Sequence, residues 1–306
     1  ILIPPIIIGA ISTYTAKNAV EKLFASGIEE NLKTLNSTLN STLEMKIHDM
    51  DVMAKEISAQ LIMGEDSPQL QGKLTQYAEL HPEAQSIFVA TPAGLFIEEP
   101  KVIFDPDYDP RERDWYKQAM ENKGEVIISK PYKFEGSDEM VVTIARTMED
   151  GSGVVAVDLR LSHLQELATQ ISVGEEGYAF ILDQDKHIIA HPELQIGSEV
   201  QDSNFDKMYA NDAGSFYYTY AGDQKAMVYT TNELTGWKLG GNVYVSEVDE
   251  RAFPILKTTI AVMIISFLIG AILAFFIIKS IIKRLRVLKE KAEVISKGDL
   301  TEDIEV

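Results

Sequence analysis

The sequence predicts an α+β fold in which a long N-terminal helix carries two antiparallel-sheet lobes and a transmembrane helix follows them. Three features of the chain predict this arrangement. Apolar residues recur at steps near three and four through residues 28–61, which is the spacing of one helix face. Two groups of short apolar runs, separated by turn residues, fill the middle of the chain as antiparallel strands do. Residues 260–278 are apolar and uncharged, as in a membrane-crossing helix.

Composition narrows the classes of function. The chain has 306 residues, a formal net charge of −19 and no cysteine. Phosphate binding needs clustered Lys and Arg, so the acidic balance argues against a nucleic-acid partner. The lack of cysteine excludes a disulfide framework and a thiolate metal site. We interpret the acidity as solubility in the extracellular medium.

The predicted long helix covers residues 12–65. Its apolar stripe consists of Ile28, Leu32, Leu35, Leu39, Leu43, Met50, Ile57 and Leu61. Such a helix can carry a mechanical signal towards the membrane, or serve only as a dimer seam or as a spine for the lobes. Asn36 and Asn40 each begin a glycosylation pattern, which we discount because the pattern is short and common.

Residues 255–278 are expected to span the membrane, because a bilayer core about 30 Å thick needs about 20 apolar residues in a helix. Six basic residues follow the apolar run: Lys279, Lys283, Arg284, Arg286, Lys289 and Lys291. By the positive-inside rule, this end of the chain lies in the cytoplasm and the preceding body lies outside. We expect the short apolar segment 1–11 to be the outer end of a truncated first transmembrane helix, rather than a signal-peptide remnant.

The membrane-distal lobe is predicted over residues 66–172 and the membrane-proximal lobe over residues 173–253. Strands of the distal lobe are expected at residues 86–90, 126–129, 140–145 and 153–159, with a helical piece near residues 115–122. Strands of the proximal lobe are expected at residues 178–183, 187–190, 215–220, 225–230 and 237–245. The similar layout indicates that the second lobe is a smaller version of the first.

One cluster of chemistry-bearing side chains stands out in the distal lobe. It consists of Tyr108, Arg113, Trp115 and Tyr116 in the run YDPRERDWY, followed by Tyr132 and Asp158. The Arg fork matches a carboxylate, the Asp suits an ammonium group, and the rings exclude water and attract cations. An α-amino acid carries this pair of charged ends. The residues alone leave an alternative equally open, in which the aromatic rings are core and the Arg pairs with Asp109 or Asp114.

The same run resembles the amino-acid-binding signature of the double Cache sensor domains of methyl-accepting chemotaxis proteins. That signature is Tyr, four residues, Arg, one residue, Trp-Tyr, then a later Tyr and a later Asp. The resemblance implies that Arg113 and the neighbouring Trp115 and Tyr116 hold the ligand carboxylate. It also implies that Asp158 and Tyr108 hold the ligand ammonium group.

The chain departs from that signature at one position. Many amino-acid-binding relatives carry an Asp two positions after the later Tyr, where this chain has Phe134. Either the ammonium site is weaker than in those relatives, or Glu135 or Asp138 from the same loop fills it.

Two further stretches resemble parts of the same receptors. The run YAFILDQDKHIIAHP resembles the membrane-proximal lobe, so both lobes are expected to have the PAS-like Cache fold. Residues 279–306 resemble the start of a HAMP linker, although Arg284 stands where that linker usually has Pro. The heptad and the Gly-Asp-Leu turn of the linker are matched by Leu285, Leu288, Ala292, Ile295 and Lys297-Gly-Asp-Leu.

Signatures of enzymes are absent from the sequence. It contains no P-loop, no serine-nucleophile motif, no HExxH and no convincing pair of catalytic carboxylates. Asp183, His187 and His191 could suggest a metal, but the resemblance makes His191-Pro192 a turn element. We therefore expect no enzyme, no cofactor and no metal.

The expected protein is the sensory module of a homodimeric chemoreceptor in the cytoplasmic membrane. It would bind an amino acid in the distal lobe and act on a cytoplasmic kinase and adaptor through an output domain, in larger receptor arrays. The alternatives are the same sensor on a histidine kinase or nucleotide cyclase, an amine or organic acid as ligand, a membrane-anchored binding protein without signalling, or an ecto-enzyme.

Overall fold

The computed structural model describes residues 3–64 and 67–296. It divides into two compact units, one formed by Leu23–Glu247 and the other by the two ends of the chain. The first unit holds both sheets. The second holds the apolar C-terminal segment.

Helix α1 spans Ile3–Glu56 and supplies one wall of the core of the Leu23–Glu247 unit. The prediction that this helix covers residues 12–65 was wrong at both ends, because the helix begins earlier and a separate short turn follows at Ala59–Leu61. The predicted stripe residues from Ile28 to Ile57 are all buried, with exposures of 3% or less, and Leu61 is half-buried. Asn36 and Asn40 each accept a hydrogen bond from the Nδ2 of Asn232, at 2.6 and 2.5 Å. Both glycosylation-pattern side chains therefore contact the proximal lobe.

The distal lobe is a six-stranded antiparallel sheet with three helices. The helices are α2 (Pro68–Leu80), α3 (Asp114–Glu121) and α4 (Leu161–Thr169). The strands are β1 (Ala84–Ala90), β2 (Phe96–Glu99), β3 (Ile127–Ile128), β4 (Tyr132–Lys133), β5 (Met140–Thr147) and β6 (Val154–Arg160). Their order is β2-β1-β6-β5-β3, and β4 also pairs with β5.

The proximal lobe has the same plan with fewer helices. Its strands are β7 (Ser172–Val173), β8 (Gly177–Leu182), β9 (Ile188–Ala190), β10 (Ala213–Tyr220), β11 (Asp223–Thr231) and β12 (Lys238–Tyr244), with the short helix α5 (Asp206–Tyr209). Their order is β10-β11-β12-β8-β7, and β9 pairs with β8.

One face of each sheet packs against α1. In the proximal lobe a side chain added at Gly241 would lie 2.6 Å from Ile28 on that helix, so glycine permits the close approach. In the distal lobe Arg146 pairs with Asp51 on α1. Because side chains alternate along a strand, residues one position away point to the opposite face, which is free to form a ligand site.

Helix α6 spans Val245–Ser296 and begins directly after β12. Among the described residues, it is the one helix long and apolar enough to cross a membrane, with a mean hydropathy of 3.0 and none of its apolar window buried. Leu285, Leu288 and Ala292 lie on this helix. The side chain of Ile295 and the predicted Gly-Asp-Leu turn lie outside the described residues.

The predicted α+β arrangement is confirmed: a long helix, two antiparallel sheets and an apolar C-terminal helix. The helical piece predicted near residues 115–122 is α3. Helices α2 and α4 and strand β2 were absent from the sequence-based prediction, and β2 proves to carry a residue of the candidate site.

Candidate functional site

Asp158 lies in the middle of the distal sheet, on the face away from α1. Its neighbours across the strands are Ser86 on β1 and Thr143 on β5. The side chain is 1% exposed. Its carboxylate accepts hydrogen bonds from the Thr143 hydroxyl at 2.7 Å and from the Tyr132 hydroxyl at 2.9 and 3.0 Å. A carboxylate is thus buried among neutral donors.

Burial raises the pKa of Asp158 from its ordinary value of 3.8 to about 7, although the Thr143 and Tyr132 hydroxyls and the charge of Arg113 lower it. Neutral donors and one cation therefore offset only part of the desolvation. A ligand ammonium group beside this carboxylate would favour its ionised form and lower the pKa again.

Arg113 lies between the short helix Pro110–Glu112 and α3, where its backbone caps the helix. The guanidinium carbon is 5.7 Å from the ring centroid of Tyr108 and 5.4 Å from that of Tyr132. The expected alternative partner, Asp109, instead pairs with Arg111 at 2.6 Å. Within the described part of the chain no ion pair is found for Arg113, so its donors can bind a carboxylate from outside.

Two clefts meet at Arg113. The smaller has a volume of about 260 Å³ and is lined by Glu112, Arg113, Asp114, Trp115, Ser129, Lys130, Pro131 and Tyr132. The larger has a volume of about 530 Å³ and is lined by Arg113, Lys133, Phe134, Glu135, Gly136, Ser137 and Asp138. A small molecule in either cleft can contact the guanidinium group.

Trp115 and Tyr116 belong mainly to the core. Trp115 is 2% exposed and its ring lies 4.9 Å from that of Phe88 on β1. Tyr116 packs edge-on against Trp115 at 5.7 Å. The hydroxyl of Tyr116 is buried and has no hydrogen-bond partner among the described residues. Tyr108, Arg113, Tyr132 and Asp158 therefore form one cluster, and Trp115 is one of its walls. Tyr116 packs against Trp115 in the core.

Glu98 on β2 is a candidate residue that the sequence-based reasoning missed. Its side chain is 5% exposed, and neither carboxylate oxygen has a hydrogen-bond partner among the described residues. Its partner on the neighbouring strand β1 is Phe88, and the two side chains lie on the same face of the sheet as Asp158. The pKa of Glu98 is raised from 4.5 to about 8, mainly by burial; Ser86 lowers it and the charge of Asp158 raises it. The distal site thus holds two buried carboxylates.

The loop of residues 134–138, which was expected to supply a substitute carboxylate, contributes no deeply buried one. Asp138 is exposed to solvent and pairs with Lys133 at 2.6 Å. Phe134 is buried. Glu135 is half-buried and its charge is one of the influences that raise the pKa of Tyr108, after burial. Glu98 is the better-placed second carboxylate because it is buried on the face that carries Asp158.

Asp183, Asp185 and His187 converge in the proximal lobe. Asp183 accepts hydrogen bonds from the backbone N–H groups of Asp185 and His187, both at 2.8 Å, and contacts the His187 ring at 2.9 Å. These contacts close the turn between β8 and β9. The Nδ1 atom of the nearby His191 accepts hydrogen bonds from the backbone N–H groups of Glu193 and Leu194, both at 3.0 Å, as expected of a turn element.

Comparison with known proteins places these features in a family. A model of the Cache domain matches residues 16–252. The methyl-accepting chemotaxis protein McpA of Bacillus subtilis is 37% identical over 307 residues, a match that covers 100% of this chain and 46% of McpA. The methyl-accepting chemotaxis protein TlpB of the same organism is 36% identical over 306 residues, with 100% and 46% covered. The chain therefore spans about half the length of the curated relatives it matches.

Solved structures share the fold at lower identity. The ligand-binding domain of the Pseudomonas aeruginosa amino acid chemoreceptor PctB, in complex with L-Gln, has a TM-score of 0.60 at 22% identity. The match covers 72% of this chain and 91% of that domain. This likeness extends over both lobes and supports the architecture described above.

Proposed function

The chain belongs to the Cache domain family, and from that premise we propose that it is the extracellular sensory region of a transmembrane chemoreceptor that binds an amino acid in its distal lobe. The ligand carboxylate contacts Arg113. The ligand ammonium group contacts Asp158, with Glu98 as a second carboxylate close by. Tyr108 and Tyr132 form the walls between the two charged ends.

One observation carries this proposal: a guanidinium group with no ion pair among the described residues lies near the ring of the tyrosine whose hydroxyl donates to a buried carboxylate. The Tyr132 ring lies 5.4 Å from the guanidinium of Arg113, and the Tyr132 hydroxyl donates to Asp158. A zwitterion bridging these groups would give each charge an opposite charge in a site that excludes water, where such contacts are strong. The relative PctB, solved with L-Gln, supports this class of ligand.

A thermal-shift screen of the purified chain in detergent tests the proposal. The panel contains the twenty amino acids, with amines and organic acids alongside. A ligand at 100 times its dissociation constant adds about 2.7 kcal/mol of stability. We expect a subset of amino acids to raise the melting temperature of the wild type and of Arg111→Ala, but not of Arg113→Ala. Arg111 is the matched control because it lies two residues away and pairs with Asp109.

The outcomes separate the alternatives. A response to amines or organic acids alone would support a sensor function but contradict an amino acid as its ligand. An equal shift in Arg113→Ala would place the ligand elsewhere. Turnover of a hit compound would favour an ecto-enzyme instead.

We further propose that the signal passes from β12 into α6, which begins at the next residue. Closure over the ligand would move the sheet, and a displacement of about 1–2 Å is typical of such transitions. Coupling of about 1–3 kcal/mol is enough to bias an output domain. Because the chain has no cysteine, single cysteines introduced along residues 260–278 report cross-links between subunits of the proposed homodimer. A cross-linking pattern unchanged by saturating ligand would refute this route.

The location and partners follow from the same proposal. The candidate span and the six basic residues after it support a cytoplasmic-membrane protein with its lobes outside. Its relatives among the methyl-accepting chemotaxis proteins favour a chemotaxis kinase and adaptor as cytoplasmic partners over a fused histidine kinase or cyclase. Fractionation and co-purification of the full-length receptor with the kinase would test this.

A further inference from the structure

The proximal sheet repeats the strand plan of the distal sheet closely enough to compare single positions. Strands β6 and β12 each have seven residues. Each pairs with the first long strand of its sheet and with the strand that precedes it in the chain. Asp158 and Asn242 are both the fifth residue of these strands. Both face away from α1, so Asn242 occupies the proximal counterpart of the Asp158 position.

The neighbouring positions correspond as well. In the distal sheet Tyr132 faces Val141, and in the proximal sheet Tyr218 faces Lys225. Tyr218 is thus the counterpart of the tyrosine that bonds Asp158. Lys225 replaces an apolar residue, so the proximal lobe carries a lysine where the distal lobe carries none.

Lys225 is deeply buried. It is 2% exposed, and its ammonium nitrogen lies 4.5 Å from the ring centroid of Tyr244, 5.1 Å from that of Tyr178 and 5.4 Å from that of Tyr220. Among the described residues, its hydrogen-bond partners are the neutral hydroxyls of Tyr178, at 3.4 Å, and of Tyr244. In the part of the chain that the structure describes, no carboxylate lies within ion-pair distance of this nitrogen. The aromatic rings stabilise the cation but do not neutralise it.

Asn242 adds a second polar group to the same face. Its side chain is 1% exposed, and among the described residues neither amide atom makes a hydrogen bond of good geometry, although the Tyr218 hydroxyl lies near. It lies two residues before Tyr244 on the same strand, and its partner on the neighbouring strand β8 is Tyr178. A buried amide left unbonded costs free energy that a bound polar molecule would recover.

The nearby imidazole does not supply a second positive charge. Burial, together with the charge of Lys225, lowers the pKa of His191 to about 4. The His191 ring packs edge-on against Tyr178 at 4.9 Å. At neutral pH, Lys225 is therefore the charged member of this pair.

We propose that Lys225 and Asn242, walled by Tyr178, Tyr220 and Tyr244, form a second ligand site that binds a small carboxylate lacking an ammonium group. The carboxylate supplies the counter-charge that Lys225 needs and accepts from the Asn242 amide. An amino acid is rejected because its ammonium group would be repelled by Lys225 and would find the neutral amide of Asn242 where the distal site offers the Asp158 carboxylate. The two lobes thus recognise ligands of different charge, and the inference does not depend on amino-acid binding in the distal lobe.

Lys238 provides a matched control within the same lobe. It is also buried, on the same strand as Asn242. Its ammonium group, however, donates to the backbone oxygen of Asn211 at 2.9 Å and to the Thr231 hydroxyl at 2.5 Å. Its hydrogen bonds are already made inside the protein, so its removal should leave carboxylate affinity unchanged.

The test is calorimetric titration of the purified chain in detergent with acetate, propionate and pyruvate, at constant ionic strength set by chloride. We expect at least one carboxylate to bind the wild type and Lys238→Met with similar affinity, and Arg113→Ala is titrated alongside to identify any binding in the distal lobe. Lys225→Met should weaken it at least tenfold. Methylammonium should not bind. Thermal melting without ligand checks that Lys225→Met is folded.

Asn242→Asp is the second variant, because it keeps the side-chain shape and places a carboxylate on the sheet face of Lys225, at the position diagonal to it across β11 and β12. This internal counter-charge should abolish binding of the external carboxylate. Equal affinity in Lys225→Met and the wild type would overturn the proposal, as would loss of binding in Arg113→Ala alone. Failure of all three carboxylates to bind above the chloride reference would also overturn it.

Discussion

Replacing Asp158 with Asn should remove a large part of the pH dependence of stability. The amide has the shape of the carboxylate and can still accept from Thr143 and Tyr132, whose hydroxyls lie 2.7 and 2.9 Å from the native oxygen. It cannot ionise. The variant therefore separates the charge of this side chain from its packing.

The sign and the size of this pH dependence follow from the pKa of the native Asp158 carboxyl group. Burial raises the pKa of Asp158 from 3.8 to about 7, so between these values the folded state holds a proton that the unfolded state has lost. Stability is consequently lost as the pH rises through this window. Integrated from pH 5 to pH 8, the loss from this one group is about 2.5 kcal/mol.

Urea unfolding at pH 5 and pH 8, without ligand, measures this difference. We expect the wild type to lose about 2.5 kcal/mol more than Asp158→Asn over this interval. Asp138→Asn is the control, because Asp138 is exposed, pairs with Lys133, and has a lowered pKa. An Asp158→Asn variant with the wild-type pH dependence would refute the assignment of a buried, readily protonated carboxylate to this position.

Three further variants and one control have defined outcomes. Glu98→Gln should weaken the binding of amino acids several-fold and leave the binding of plain carboxylates unaffected, as measured by titration calorimetry. An equal effect on both would argue against a role of Glu98 at the ligand ammonium group. Tyr132→Phe should cost about 1 kcal/mol of amino-acid affinity, because it removes a hydrogen bond to Asp158 and keeps the ring. Lys46→Met should destabilise the fold by about 3–5 kcal/mol in urea, because Lys46 is buried and pairs with a partly buried carboxylate. Lys73→Met, at an exposed pair, should cost less than about 1 kcal/mol.

Regular periodicity made the long elements predictable. The stripe from Ile28 to Met50 has a helical spacing and is the buried face of α1, and Ile57 directly follows the end of the helix. The runs that became β6 and β8 are continuous and apolar because the sheet is covered on both faces. The apolar run within α6 was evident from length and charge alone.

The elements that were missed have weak local patterns. Strand β2 is four residues long and reads FIEE, half of it acidic. Its inward glutamate, Glu98, can be recognised only when the neighbouring strand is known, because pairing with β1 places it on the same face as Asp158. Sequence spacing likewise could not show that Arg111, rather than Arg113, pairs with Asp109.

The aromatic residues of the signature show a similar limit. The run YDPRERDWY indicated a ligand site, but burial divides its members between two roles. Tyr108 contacts the guanidinium of Arg113, whereas Tyr116 lies against Trp115 in the core. Neighbours in sequence on a helix point in different directions, so a motif predicts a cluster without assigning each side chain its contact.

The most direct test of the account is the affinity of one amino acid and of its carboxamide, measured by titration calorimetry in the wild type and in Arg113→Ala. The amide keeps the ammonium group and the side chain but lacks the carboxylate. We predict that Arg113→Ala weakens binding of the amino acid by about 30-fold or more, from a loss of at least about 2 kcal/mol, and leaves binding of the amide nearly unchanged. Equal weakening of both compounds, or of neither, would contradict the assignment of Arg113 to the ligand carboxylate.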